Sequence, residues 1–155
     1  ITAETQPVVI SGITFDYMWP PALPPDTGKC ALHDELNDAS LVFKMTFGRM
    51  SFLVTGDISR RSEEALIKSG RNLRADLLFV PHHGSVHSSS EDFLTAVSPR
   101  YALVSAGRNN IFGHPHRKVL QRYLSRDITV MRTDRHGAIT IRSSRSHLRV
   151  VSTRQ

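Results

Sequence analysis

Apolar residues in this chain come in short runs, most of them the length of a strand. Phe52-Leu53-Val54, Leu77-Leu78-Phe79-Val80 and Tyr101-Ala102-Leu103-Val104 are continuous rather than alternating, the pattern of strands buried on both faces. Pro7 to Trp19 instead holds two short strands, Val8 to Ile10 and Ile13 to Met18, around a Ser11-Gly12 turn, which predicts a hairpin. Leu41 to Thr46 and Met50 to Val54 read as two more strands joined at Gly48-Arg49. Helical signals sit between the later runs. Ser59 is placed to cap a helix over Arg60 to Ser69, with Glu63 and Glu64 in its first half and Gly70 as its stop. A second helix is expected over Glu91 to Val97, capped from within Ser88-Ser89-Ser90. A third runs from Pro115 to Ser125, with the proline in the first turn, where its missing N–H costs nothing. A strand at Thr129 to Arg132, a turn at Asp134-Arg135-His136-Gly137 and a strand at Ala138 to Arg142 follow, and Leu148 to Val151 is expected to add an edge strand.

This order predicts an α/β (α+β) domain: a mixed sheet with helices on its outer face. Residues 1–19 form the hairpin, 20–37 a long Pro-, Gly- and Asp-rich surface loop, and 38–151 the α/β core. The first third of the chain offers no helix. One face of the sheet is therefore expected to lack its cover, which an upstream portion of the polypeptide would supply.

Composition adds modest bounds. A chain of 155 residues suits one domain with a real core, and 39% hydrophobic with 22% charged residues is ordinary for a soluble globular protein. No apolar run approaches the length of a membrane span, and no signal peptide is visible. The first residue is Ile1 rather than Met, so the chain is expected to be a piece of something longer. Cys30 stands alone, which excludes an internal disulfide framework, and its proline-rich surroundings suit a bystander better than a ligand. The net charge of +6 comes from 16 Arg and only 4 Lys. Arginine's planar fork pairs with phosphate, so the bias fits a nucleic-acid partner; an Arg-rich genomic composition would produce the same count. One short stretch, Arg142 to Ser146, is biased toward Ser and Arg.

The candidate chemistry gathers just past the apolar runs. Five of the eight histidines fall between His82 and His116. Asp57 closes Phe52-Leu53-Val54-Thr55-Gly56-Asp57, and polar residues beyond the ends of buried strands are where α/β folds collect ligands. A carboxylate there can bridge two cations, or it can simply cap the helix that follows. In His82-His83-Gly84-Ser85, adjacent imidazoles cannot point the same way in an extended chain, so one faces a site while the other orients a neighbour or meets solvent. Gly84, the Ser85 hydroxyl and the nearby Ser88 and Ser89 could present donors to a phosphate, or the segment could be a structural turn. His114, between Gly113 and Pro115 in the loop that holds Asn110, has the restricted backbone of a fixed ligand or of an ordinary loop residue. The Asp134 turn is explained by a hairpin, and Trp19 reads as a packing plug.

Taken in order, Asn37-Asp38-Ala39-Ser40, Leu53-Val54-Thr55-Gly56-Asp57-Ile58, Val80-Pro81-His82-His83-Gly84-Ser85, Gly107 through Gly113-His114-Pro115 and Arg132-Thr133-Asp134-Arg135-His136-Gly137 resemble the C-terminal half of the metallo-β-lactamase-like domain of ComEC-type DNA-uptake (competence) proteins. The likeness runs from about Val9 to Ile141. It implies half of an αββα sandwich and a centre of two divalent cations, zinc or manganese, with Asp57 and His114 as metal ligands. By the same resemblance His83, with His82 as the other choice, is the general acid, and Ser85 belongs to the catalytic segment. Gly84, Ser88, Ser89 and Asn110 would contact phosphate. The implied function is a nuclease that degrades the DNA strand not imported during uptake, attached to a polytopic channel of the bacterial inner membrane. Its partners would be DNA, expected to be single-stranded, the rest of its own polypeptide, and other competence proteins. The family's first metal motif, His-x-His/Asp-x-Asp-His, occurs nowhere in these residues, so this fragment alone is expected to bind metal poorly and turn over little substrate. Two other readings compete: a catalytically degenerate domain that binds DNA or organises the channel, and a metallo-hydrolase of another ester or lactam.

Overall fold

The computed structural model describes residues 6–21 and 33–154. Cys30 and most of the expected 20–37 loop lie outside the described residues. The end of that loop is a short helix, α1 (His33–Asp38), rather than irregular chain. With a single apolar residue, exposed Leu36, it has no amphipathic pattern to announce it.

One seven-stranded sheet organises the domain, in the order β1 (Val8–Ile10), β2 (Ile13–Trp19), β3 (Val42–Phe47), β4 (Met50–Val54), β5 (Leu77–Phe79), β6 (Tyr101–Val104) and β7 (Thr129–Arg132). The first four strands pair antiparallel as a meander, and β4 through β7 pair parallel. Parallel neighbours need crossovers. These are α2 (Arg60–Lys68), α3 (Glu91–Val97) and α4 (Arg117–Leu124), as expected within a residue or two. Pro115 lies before the N-cap of α4, His116, rather than in its first turn.

Period-two alternation sends Leu53, Leu78, Ala102 and Val104 to one side, where they pack with Ile58, Leu66, Phe93, Leu94, Val97, Val119 and Tyr123 as a single buried core. Trp19 packs at the margin of this core, its Nε1–H donating to the carbonyl of Asp38 at 2.6 Å. The opposite side carries Phe15, Phe43, Met45, Phe52 and Phe79, placed by the pairings Phe15↔Met45 and Met45↔Phe52. A separate two-stranded ribbon, β8 (Ile139–Ser143) with β9 (Leu148–Ser152), approaches this second side. Ile141 and Ser143 line a cavity of about 320 Å³ there with Met45, Phe47, Phe52 and Phe79. The expectation that Leu148 to Val151 extends the main sheet is therefore corrected. The anticipated hairpin turn is instead a short helix, α5 (Thr133–His136), which redirects the chain out of β7 into a sheet of its own. Asp134 anchors it through both carboxylate oxygens to the Arg132 guanidinium, which holds the carboxyl below the usual range.

The helical side contains a buried carboxylate. Glu63 lies three residues before Leu66 and four before Ile67, on the apolar stripe of α2, and is fully buried. It accepts the backbone N–H groups of Ser89 and Ser90 at the head of α3, which ties the two helices together. Burial raises its carboxyl above the ordinary value, while those hydrogen bonds and Arg60 oppose the rise.

Replacing Glu63 by Ala should lower stability by about 3 kcal/mol, because two buried N–H groups lose their acceptor, and Glu63→Gln should lose about half as much. Because the folded carboxyl titrates above its unfolded value of 4.5, the folded state binds more protons there. That contribution to stability is present below the unfolded value and is lost as pH rises through the folded one. Urea unfolding at about pH 4 and about pH 7 should therefore favour the wild type over Glu63→Gln more strongly at the lower pH.

Candidate active site

Parallel pairing of β4, β5 and β6 brings three chain exits to one edge of the sheet. From β4 the chain passes through Thr55, whose hydroxyl donates to the Phe79 carbonyl at 2.7 Å, and Gly56 to Asp57. Gly56 has φ +56°, and a Cβ there would meet the Ser40 Cβ at 2.8 Å. The close approach lets the Ser40 hydroxyl accept the Asp57 N–H at 3.1 Å. Asp57 caps nothing. The α2 cap is Ser59, whose hydroxyl accepts from the Arg61 N–H. The carboxylate of Asp57 is left half-exposed at the sheet edge.

From β5 the chain enters a 3-10 turn at Pro81–Gly84 in which His82 and His83 both have left-handed backbones, φ +50° and +53°. The His82 N–H donates to the Gly56 carbonyl at 3.0 Å, joining the first two exits. The His83 Nδ1 lies 2.8 Å from the Ser105 carbonyl, just past β6, joining the second and third. A carbonyl can only accept, so Nδ1 carries a proton and donates it, which leaves Nε2 as the nitrogen facing the site. That Nε2 lies 3.5 Å from Asp57 Oδ1. His82 points elsewhere: its Nδ1 is buried without a hydrogen-bond partner, and its ring meets His114 edge-on at 5.8 Å.

His114 is held by Asn110, whose side-chain oxygen accepts the His114 N–H at 2.8 Å and whose amide donates to the His114 carbonyl at 2.7 Å. Phe112 stacks on its ring at 5.9 Å. Burial pushes the His114 imidazole below its ordinary value, the neighbouring His82, His83 and His116 push the same way, and Asp57 opposes them.

Asp57 and His83, and beside them the His82–His114 ring pair, thus lie past the same sheet edge. Five other expected site residues have a different duty, because their polar groups are consumed in shaping the loops. Gly84 is buried against Pro115, and its carbonyl accepts the His116 N–H at 2.9 Å. Ser85 is 4% exposed, and its carbonyl accepts from the Ser88 hydroxyl. The Ser88 hydroxyl also reaches the Pro81 carbonyl, while that of Ser89 pairs with the phenol of Tyr123. Asn110 spends its amide inside its own loop. These donors face inward rather than toward a phosphate.

Sequence reasoning missed a cleft of about 470 Å³ that reaches His82. Arg60, Arg61, His87 and Arg122 line it, with Asp38 as its acidic member. Arg122 donates to the carbonyls of Ser88 and Ser89 at 3.0 Å each, so its charge is pinned in place. The adjacent arginines opening α2 were the available signal.

Zinc in a catalytic site draws three ligands from protein. Among the described residues no group of three or more His, Cys, Asp or Glu is arranged to hold a metal ion, so Asp57 and His114 do not by themselves fit a complete cation centre.

Over 106 residues the chain is 43% identical to ComE operon protein 3 of Bacillus subtilis, a match covering 68% of this chain and 14% of that protein. Competence protein ComA of Neisseria gonorrhoeae is 43% identical over 104 residues, 66% of this chain and 15% of that protein. The chain belongs to the ComEC family of competence proteins. A third member, Recombination protein 2 of Haemophilus influenzae, is 31% identical over 118 residues, 76% of this chain and 15% of that protein. The chain therefore spans only a small part of the length of these ComEC relatives. No family model matches it. Among the described residues no helix is long and apolar enough to cross a membrane.

Two measurements test the geometry. Because the folded His114 titrates below 6.5, its contribution to stability is present above that value and is lost as pH falls. A histidine NMR titration should place its midpoint below 6.5, and Asp57→Asn should move it lower still, since the carboxylate is what opposes the shift. At Gly84, φ is +85° and a Cβ would stand 2.6 Å from that of Pro115. Gly84→Ala should therefore lower stability by about 1–3 kcal/mol and shift the His82 and His83 ring resonances.

Proposed function

We propose that this chain is the C-terminal half of a metallo-β-lactamase-like sandwich in a membrane-attached DNA-uptake protein, and that it takes part in hydrolysing the DNA strand that is not imported. The convergence of Asp57, His83 and His114 past three parallel strands carries this reading. Its second half, the remaining ligands for two zinc or manganese ions, and any membrane anchor belong to polypeptide outside the described residues.

The residues present support an acid role for His83. Its Nδ1–H is committed to the Ser105 carbonyl, which fixes the ring, and its Nε2 faces the half-exposed Asp57 carboxylate at 3.5 Å. When water attacks phosphorus and the P–O bond to the leaving group breaks, the Nε2 proton passes to that oxygen, a contribution of about 10²–10⁴ in rate. His114, kept neutral by burial and by the surrounding imidazoles, offers a lone pair rather than a charge. The arginine-lined cleft beside His82 suits the phosphates flanking the scissile bond.

The arginine cleft, set beside an incomplete ligand set, also favours a second reading: a domain that binds DNA without cutting it. One experiment separates the two. The complete soluble domain is incubated with end-labelled single-stranded DNA and Mn²⁺ or Zn²⁺, beside Asp57→Ala and His83→Gln. The nuclease reading expects shortened products from the wild type, none from Asp57→Ala, and about 10²-fold slower turnover from His83→Gln. DNA left equally intact by all three proteins, but retained by them, supports the binding module instead.

A further inference from the structure

The β8–β9 ribbon has no role in the site, yet its charge is unusual. No Asp or Glu follows Asp134 in the sequence, whereas Arg135, Arg142, Arg145, Arg149 and Arg154 do. Along both strands alternation is clear. Ile139, Ile141, Leu148 and Val150 are half-buried, while Arg142 and Arg149 are exposed on the other side. The register places Arg142 directly opposite Arg149. Like charges in that relation destabilise a strand pair, their Cβ atoms being about 5 Å apart.

Among the described residues no ion pair relieves the repulsion. The ion pairs among the described residues involve Arg71, His83, Arg122, Arg126 and Arg132, not these arginines. Exposed Arg145 adds a third cation in the connecting turn. That turn is held: the Arg145 carbonyl accepts the Arg49 N–H at 2.7 Å, and Ser144 and His147 bond to each other at 2.9 and 3.1 Å. Three guanidinium groups are thus presented by a braced ribbon, with no counter-charge paired to them among the described residues. A polyanion that supplies phosphates at close intervals satisfies all three bidentately.

We propose that the outer face of the β8–β9 ribbon binds the phosphodiester backbone of a DNA strand through Arg142, Arg149 and Arg145. The proposal rests on the DNA-processing reading only for the identity of the polyanion; the cationic surface stands apart from the Asp57 cluster.

Binding of a fluorescein-labelled oligothymidylate to the full chain, followed by anisotropy as salt rises, tests it. Arg142→Gln/Arg149→Gln should bind more weakly and flatten the slope of log K against log salt by about 1.4. Between about 50 and about 200 mM salt the wild type should then lose about sevenfold more affinity than the variant. Thermal unfolding should find the variant at least as stable, since the repulsion is gone, and Arg142→Lys/Arg149→Lys should keep the wild-type slope. An unchanged affinity and slope in the glutamine variant overturns the proposal. Loss of binding to phosphatidylglycerol vesicles with oligothymidylate binding intact also overturns it, in favour of a membrane surface. Asp57→Ala should leave the salt slope unchanged, so a failed nuclease assay and a failed ribbon are told apart.

Discussion

Parallel pairing of β4, β5 and β6 is the constraint on which the rest of the molecule depends. A parallel strand pair cannot be closed by a tight turn, so each strand releases its chain on the same edge and sends it through a crossover helix. Asp57, the His82-His83 pair and the loop to His114 all begin at such exits. Two hydrogen bonds then convert neighbouring exits into a single site: the His82 N–H to the Gly56 carbonyl, and His83 Nδ1 to the Ser105 carbonyl. The first fixes backbone to backbone, and the second turns the His83 Nε2 toward Asp57.

Buried polar groups hold that edge rigid. Glu63 receives the N–H groups of Ser89 and Ser90, Tyr123 meets the Ser89 hydroxyl, and Arg122 covers the carbonyls of Ser88 and Ser89. A buried polar network is stabilising only when its members are satisfied, and here each serine is. The same satisfaction removes those serines from contact with a ligand. Burial also pushes the Tyr123 phenol far up, which keeps it a neutral hydrogen-bonding partner. Positive charge available to an anion lies instead in the exposed Arg60 and Arg61 of the cleft and in the arginines of the ribbon.

The two faces of the sheet are finished differently. Helices α2, α3 and α4 seal one side with a continuous apolar core, while among the described residues the β8–β9 ribbon lies over part of the aromatic surface of the other. Val8, Val9 and Ile10 remain 51–66% exposed at the meander's edge. An exposed apolar strand of that kind is a surface that normally finds a partner.

Most of the framework was readable from residue order, because period and punctuation act locally. Continuous apolar runs mark the parallel strands, Ser59 and Ser90 mark helix starts, and Asp57, His82, His83 and His114 stand out by falling just past strand ends. The order of those motifs was also enough to indicate the ComEC family. What tertiary structure alone decided concerns direction. Whether Ser85, Ser88, Ser89 and Asn110 turn toward solvent or toward the protein depends on acceptors distant in sequence, such as Glu63 and Tyr123. That His83 rather than His82 faces Asp57 follows from left-handed backbones at both histidines, which no periodicity encodes. The departure of β8 from the main sheet is of the same kind: α5, pinned by Arg132 and Asp134, turns the chain away before another parallel strand can add. Local chemistry determined which residues could act, and long-range packing determined which of them face one another.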